Sequence, residues 1–379
     1  MFTRKLDFIL DDDGFISMII YNSHPDGRVF IAPKYFPSKH GNWKSRTTGQ
    51  VYDRFEYYWD LKNSKNRHDE RKKLYSIDDN PLHDYESDVL KIFKGRLETD
   101  PCHGVLMYSL DATKITRYCN AKQAYKEIMI ERPGRVEKFN RILDCIADTF
   151  DPGEVGITGS YLYDLYQDFS DINFVLYDGN VMKRFHDFLL DHECLVDKHE
   201  VTIQIPSKNW NGWLEREDLK AMKELMEPRA VDYHGRFIGS LHDEKIEDTR
   251  AGFWTANTVD VYPYGTFKKE QLGKCLLKAK IREWQEGMAS GNFPLENVEI
   301  LGIDPAIDKM NITEEKITSL QIIGQFHRMF LFDEYIYVFG LLQEVKTFSG
   351  KEGEMLLEIL VGGREMGGWI LPLAILTDS

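Results

Sequence analysis

Residues Glu154 to Asp178, EVGITGSYLYDLYQDFSDINFVLYD, are the stretch on which the reading of this chain turns. The apolar run Val155 to Thr158 ends in Gly159-Ser160, a polar and aromatic-rich connection follows, and Ser170-Asp171-Ile172-Asn173 enters a second apolar run. This pattern predicts a strand, a tight turn and a second strand. Side chains at positions i and i+2 of a strand share a face, so Asp171 and Asn173 stand together at the head of the second strand. Glycine at 159 lets backbone N–H groups approach a phosphate closely, and Ser160 adds a hydroxyl donor.

The flanking segments supply helices. Val136, Phe139, Ile142, Leu143, Ile146, Ala147 and Phe150 recur at three- and four-residue intervals, which predicts an amphipathic helix between Pro133-Gly134 and Asp151-Pro152-Gly153. Val181, Met182, Phe185, Phe188 and Leu189 predict another, followed by a β-like run at Val201 to Ile205, a helix over Glu217 to Met226 and a short strand over Phe237 to Leu241. Helix, strand, turn, strand, helix, strand describes an α/β or α+β core over residues 131–250, a mixed sheet with helices.

Residues 1–130 read as a mixed region that begins with a β-hairpin. Phe15 to Tyr21 and Arg28 to Tyr35 are strands joined by the turn signal His24-Pro25-Asp26-Gly27. His24, in a turn before proline, reads as structural. Tyr85 to Gly95 reads as helical and Val105 to Leu110 as a strand. Residues 251–379 read as a β-rich, small barrel-like domain with strands at Thr258 to Tyr264, Tyr335 to Gln343, Met355 to Val361 and Trp369 to Leu373, and a charged helix over Lys268 to Glu286.

A chain of 379 residues divides into two or three domains. Its 48 basic and 62 acidic residues give a formal charge of −14, which excludes a wholesale electrostatic attraction to nucleic acid or to an anionic membrane. Lys34 to Tyr75 departs from this balance, with 11 Lys or Arg against 5 Asp or Glu, interleaved with aromatic residues. Basic and aromatic side chains together suit phosphates and unstacked bases, which makes Lys44, Arg46, Arg54, Arg67, Arg71 and Lys72 candidate nucleic-acid contacts. The competing interpretation is a solvated loop followed by a helix packed on the core. The five cysteines lie far apart with no CxxC pair, so neither a zinc knuckle nor a disulfide framework is signalled. The apolar runs are strand-sized and predict no membrane span; a cytoplasmic location is expected.

In nucleotidyl transfer, carboxylates and the phosphates themselves hold a metal, usually Mg2+, that neutralises the developing charge. Asp171 and Asn173 are the candidate catalytic and metal-holding pair, and Gly159 and Ser160 the candidate nucleotide cradle. Asn173 offers a carbonyl oxygen but no charge, so the pair holds a divalent ion less strongly than two acids do.

On the hairpin Tyr21 to Tyr35, the motif Gly159 to Tyr177 and, more loosely, Tyr233 to Phe237, the chain resembles the archaeal family of nucleotidyltransferases distantly related to DNA polymerase β. The resemblance implies a polymerase β-like core, a nucleoside triphosphate as ligand, and Mg2+. It also implies a third acid on a later strand, for which Glu200, Asp232, Asp243 and Asp260 are alternatives. Two functions follow as expectations: magnesium-dependent transfer of a nucleotidyl group to an unknown acceptor, or a catalytically degenerate fold that binds nucleotide or RNA without turnover.

Overall fold

The computed structural model describes residues 4–39, 41–54, 92, 95–104, 106–168, 170–191, 202–204, 230–232, 241–242, 249–305, 307, 310, 312–322, 331–348, 356–361 and 368–373. Strands predominate among the described residues, with four α-helices, in a mixed α+β arrangement of a curled N-terminal sheet, a helix-backed central sheet and a closed barrel. The helices expected near residues 85–95 and 217–226 lie largely outside these residues, as do Arg67, Arg71 and Lys72.

The N-terminal sheet holds eight strands: β1 (Phe8–Asp11), β2 (Ile16–Ile19), β3 (Arg28–Pro37), β4 (Trp43–Lys44), β5 (Val51–Arg54), β6 (Leu97–Thr99), β7 (Leu106–Asp111) and β8 (Ile115–Cys119). The expected hairpin is the antiparallel pair β2–β3, with Gly27 in the left-handed region at its turn. Both faces of the sheet are buried. Ile9, Phe15, Ile19, Val29 and Ile31 pack on one side, while Phe8, Ile16, Tyr35 and Tyr52 pack on the other, against Leu162, Tyr163 and Leu165 of the central motif. The sheet is therefore a wall of the motif.

Next comes α1 (Ala121–Glu131), whose N-cap Asn120 accepts the Gln123 N–H. The helix expected from Val136 onward starts instead as a 3-10 segment, Gly134–Phe139, before α2 (Asn140–Thr149) buries Ile142, Leu143 and Ile146. β9 (Val155–Thr158) and β10 (Ile172–Tyr177) form where the apolar runs predict them, antiparallel, with Asn173 opposite Thr158. They are followed by α3 (Gly179–Asp191). β11 (Thr202–Gln204) and β12 (Ala230–Asp232) form a separate two-stranded sheet. β13 (Leu241–His242) and β14 (Arg250–Ala256) complete the central sheet in the order β13-β14-β10-β9, with β14 parallel to β10. Alternation along β10 sends Ile172, Phe174 and Leu176 into the core with α2 and α3. Val175 and Tyr177, on the other face, are covered by Leu6 and Met18 of the N-terminal region. On that face the exposed Asp171 and the half-buried Asn173 lie at the open head of β10.

The C-terminal strands are β15 (Phe267–Ile281), β16 (Asn292–Ile303), β17 (Ile317–Ile322), β18 (Tyr335–Thr347), β19 (Leu356–Val361) and β20 (Trp369–Pro372), with α4 (Trp284–Ser290) between the first two. The ring β15-β16-β17-β19-β18 closes through β15–β18, and β17 and β19 run parallel. These five strands thus close into a barrel. Two expectations fail here. Lys268 to Glu286 is not one helix: most of it is β15, whose helix-favouring Lys, Glu and Leu residues are overridden by ladders to β16 and β18. Thr258 to Tyr264 is not a strand, because Asp260 and Tyr264 bond to the hairpin residues Asn22 and Ser23 instead of entering a ladder. The barrel also grips the central sheet. Thr255 Oγ1 donates to the Met288 carbonyl at 2.7 Å, and the Glu286 carboxylate lies against Gly179 at the start of α3, where it complements the helix dipole.

Candidate functional site

The turn after β9 is built on Gly159. Its φ of +73° is strained for any residue with a Cβ, and a Cβ here would stand 3.4 Å from Asn173 Nδ2. A 3-10 turn, Gly159–Tyr161, follows, with Ser160 buried and its carbonyl accepting the Leu165 N–H at 2.9 Å. Gly159, Ser160, Asp171 and Asn173 are thus brought to one end of the sheet.

The strand beside them supplies no acid. Asn173 is in register with Gly252 on β14, and a Cβ on that glycine would lie 2.5 Å from Asn173 Oδ1 and 4.0 Å from Asp171 Oδ2. Both side chains therefore lean over bare backbone. The next β14 residue on this face, Trp254, donates its indole N–H to Asn173 Oδ1 over a long 3.4 Å. The amide oxygen that would have served as a ligand has a protein donor, and a carboxylate at 252 would have no room. Among the described residues at this face, Asp171 is the carboxylate and Asn173 an engaged amide, so Mg2+ held here would draw most of its octahedral shell from water and phosphate oxygens.

Of the alternative third acids, the two that are described are placed elsewhere. Asp260 accepts the Ser23 N–H and Oγ–H, both at 2.7 Å, and the Asn22 N–H at 3.1 Å, which makes it a structural anchor. Asp232 is on the separate β11–β12 sheet, and Glu200 and Asp243 lie outside the described residues. Among the described residues, the acidic group with metal-compatible spacing is Asp11-Asp12-Asp13. Two of its carboxylates are already engaged: Arg96 reaches Asp11 at 2.7 Å and Asp13 at 2.9 Å, and Phe15 N–H donates to Asp11.

The connection Tyr161 to Asp168 is clasped by the loop between β4 and β5. Thr47 N–H donates to Asp164 Oδ2 at 2.7 Å, and Arg46 donates to the Tyr166 carbonyl at 3.3 Å and to Asp168 at 2.8 Å. Tyr161 and Tyr166 stack with centroids 4.7 Å apart and planes 13° apart. Burial pushes the Tyr161 hydroxyl far above its usual range, so it stays neutral. Lys44 lies on β4; Arg54, at the end of β5, stands near Tyr35, whose pKa burial raises, Arg54 opposing and Asp171 adding to the rise. Arg135, Lys138, Tyr161, Tyr166 and Trp254 are functional candidates that the sequence reading did not single out; the dense aromatic spacing of residues 161–166 was the available signal.

In comparisons with family models, with curated proteins and with solved structures, no match to this chain was found.

Proposed function

We propose that the central sheet and the hairpin loop clasping it form a nucleotidyltransferase-like unit that binds a phosphate-bearing ligand, a nucleotide or RNA, without magnesium-dependent transfer. The observation that carries this reading is the register of Asn173 against Gly252. Transfer needs a metal cluster to neutralise charge on the triphosphate, and among the described residues this face presents Asp171 as its carboxylate, with glycine and tryptophan of β14 beside Asn173. The Gly159 turn keeps the close backbone approach that suits a phosphate.

The test measures pyrophosphate release from nucleoside triphosphates and thermal unfolding with the same ligands, each with and without magnesium. A ligand that raises the unfolding temperature equally in both conditions, with no release by the wild type or by Asn173→Asp, is the expected outcome. Asn173→Asp stays inactive because no carboxylate faces it from β14. Magnesium-dependent release that Asp171→Ala abolishes would overturn the proposal.

A further inference from the structure

Beside the stacked tyrosines lies an open cleft of about 1000 Å³ lined by Arg46, Arg135, Lys138, Tyr161, Tyr166 and Asp168, among others. Three cations reach it from two separate pieces of chain: Arg46 from the β4–β5 loop, and Arg135 and Lys138 from the 3-10 segment. In a chain of charge −14 this is a local reversal, with Glu137 and Asp168 as the carboxylates opposing them in the lining.

The guanidinium groups are held over an aromatic surface. The Arg46 guanidinium carbon is 4.7 Å from the Tyr166 ring centroid and that of Arg135 is 5.7 Å away. Such contacts fix a guanidinium while leaving its N–H donors available. Arg135 is exposed, and among the described residues its guanidinium makes no hydrogen bond and no ion pair. Arg46 pairs with Asp168, but that carboxylate is 99% exposed and such a pair contributes little. Lys138 Nζ donates to the Asp168 carbonyl at 2.6 Å, which holds its charge at the rim. Preorganised guanidiniums beside a lysine match the oxygens of a phosphate ester.

We infer that this cleft, and not the Asp171–Asn173 face, is where a phosphate ester docks, with Arg135 as the principal contact and Arg46 and Lys138 beside it. The inference rests on the reading of the unit as a binder of phosphate-bearing ligands and moves the contact to the cleft beside the Tyr161–Tyr166 pair.

Binding of a fluorescent, mixed-sequence single-stranded RNA ten-mer to the full chain, followed by anisotropy at 50 and 200 mM salt with ATP as competitor, tests it. Three phosphate contacts predict a loss of affinity of roughly 10- to 20-fold between the two salt concentrations. Arg135→Glu and Lys138→Gln are each expected to weaken binding at least about tenfold at low salt, because each removes a charged contact. Arg135→Lys, which keeps the charge but loses the planar fork and its ring contact, should fall between the wild type and Arg135→Glu, and Lys268→Glu, on the exposed surface of the barrel, should leave binding within about twofold. ATP that displaces the RNA marks a nucleotide as the source of the phosphate; RNA that ATP does not displace marks a strand. Either result upholds the cleft. Binding of RNA or ATP that Arg135→Glu and Lys138→Gln leave unchanged, or that Lys268→Glu weakens equally, overturns the cleft and leaves the proposed function standing. No binding of either ligand by the wild type overturns both.

Discussion

His24 accepts the Phe30 backbone N–H on Nδ1 at 3.1 Å, which requires that nitrogen to be unprotonated, while Nε2 is buried without a partner among the described residues. Burial lowers its pKa to about 4, against a smaller opposing pull from Asp260. The folded state therefore resists a proton that the unfolded chain takes up near pH 6.5. Stability conferred by neutral His24 is complete above that value, falls as pH drops from 6.5 towards 4, and is gone below. Urea unfolding across this window should show a loss of up to about 3 kcal/mol in the wild type that is absent in His24→Gln. Equal slopes for the two proteins would refute the assignment. His24 was legible as structural because a histidine before proline in a hairpin turn belongs to the turn. Asn173 was legible only in part: its place on β10 follows from local pattern, but its Trp254 donor and Gly252 neighbour come from another strand.

Among elements, β15 shows most plainly where local preference loses. Its Lys and Glu content favours a helix, yet within it Lys278 and Lys280 alternate with the buried Leu277, Ala279 and Ile281, a period-2 pattern hidden inside a charged run. The start of the same strand carries Lys269, buried and paired with Glu358 of β19; Gln321 accepts from the lysine at 2.9 Å and Asn292 donates to Glu358 at 2.8 Å. Removing one partner of a buried pair leaves a charge in a dry site. Lys269→Met is expected to cost about 3–5 kcal/mol in urea unfolding, and the double variant Lys269→Met, Glu358→Leu to cost clearly less than that single change. A double variant as unstable as the single one would show that the pair itself, not the orphaned charge, dominates. β9 and β10, by contrast, were readable almost to the residue, because a short apolar run bounded by turn residues states a strand without help from distant chain.

At the scale of the molecule, the loop between β14 and β15 ties the N-terminal hairpin to the barrel. Asp260 accepts from Asn22 and Ser23, Ser23 Oγ accepts the Tyr264 N–H at 2.8 Å, and Tyr264 reaches Asp100 at 3.0 Å. The hydrophobic core runs without interruption from α2 through the central sheet into the barrel. Asp260→Ala should therefore lower global stability by about 3 kcal/mol, as expected when charge-assisted hydrogen bonds are lost, while tryptophan fluorescence and far-UV circular dichroism still report one coincident transition. Separate transitions would mean that the sheet and the barrel fold independently. From sequence alone came the hairpin, the strand–turn–strand motif with Gly159 at its turn, the helices on either side and a C-terminal barrel, all of which rest on spacing and turn chemistry within a few residues. Tertiary structure alone decided that β14 runs parallel beside β10 and sets Gly252 against Asn173, and that a distant hairpin loop brings Arg46 to Arg135 and Lys138. Pairings between segments far apart in the chain are selected by burial of the whole core, and no local period records them.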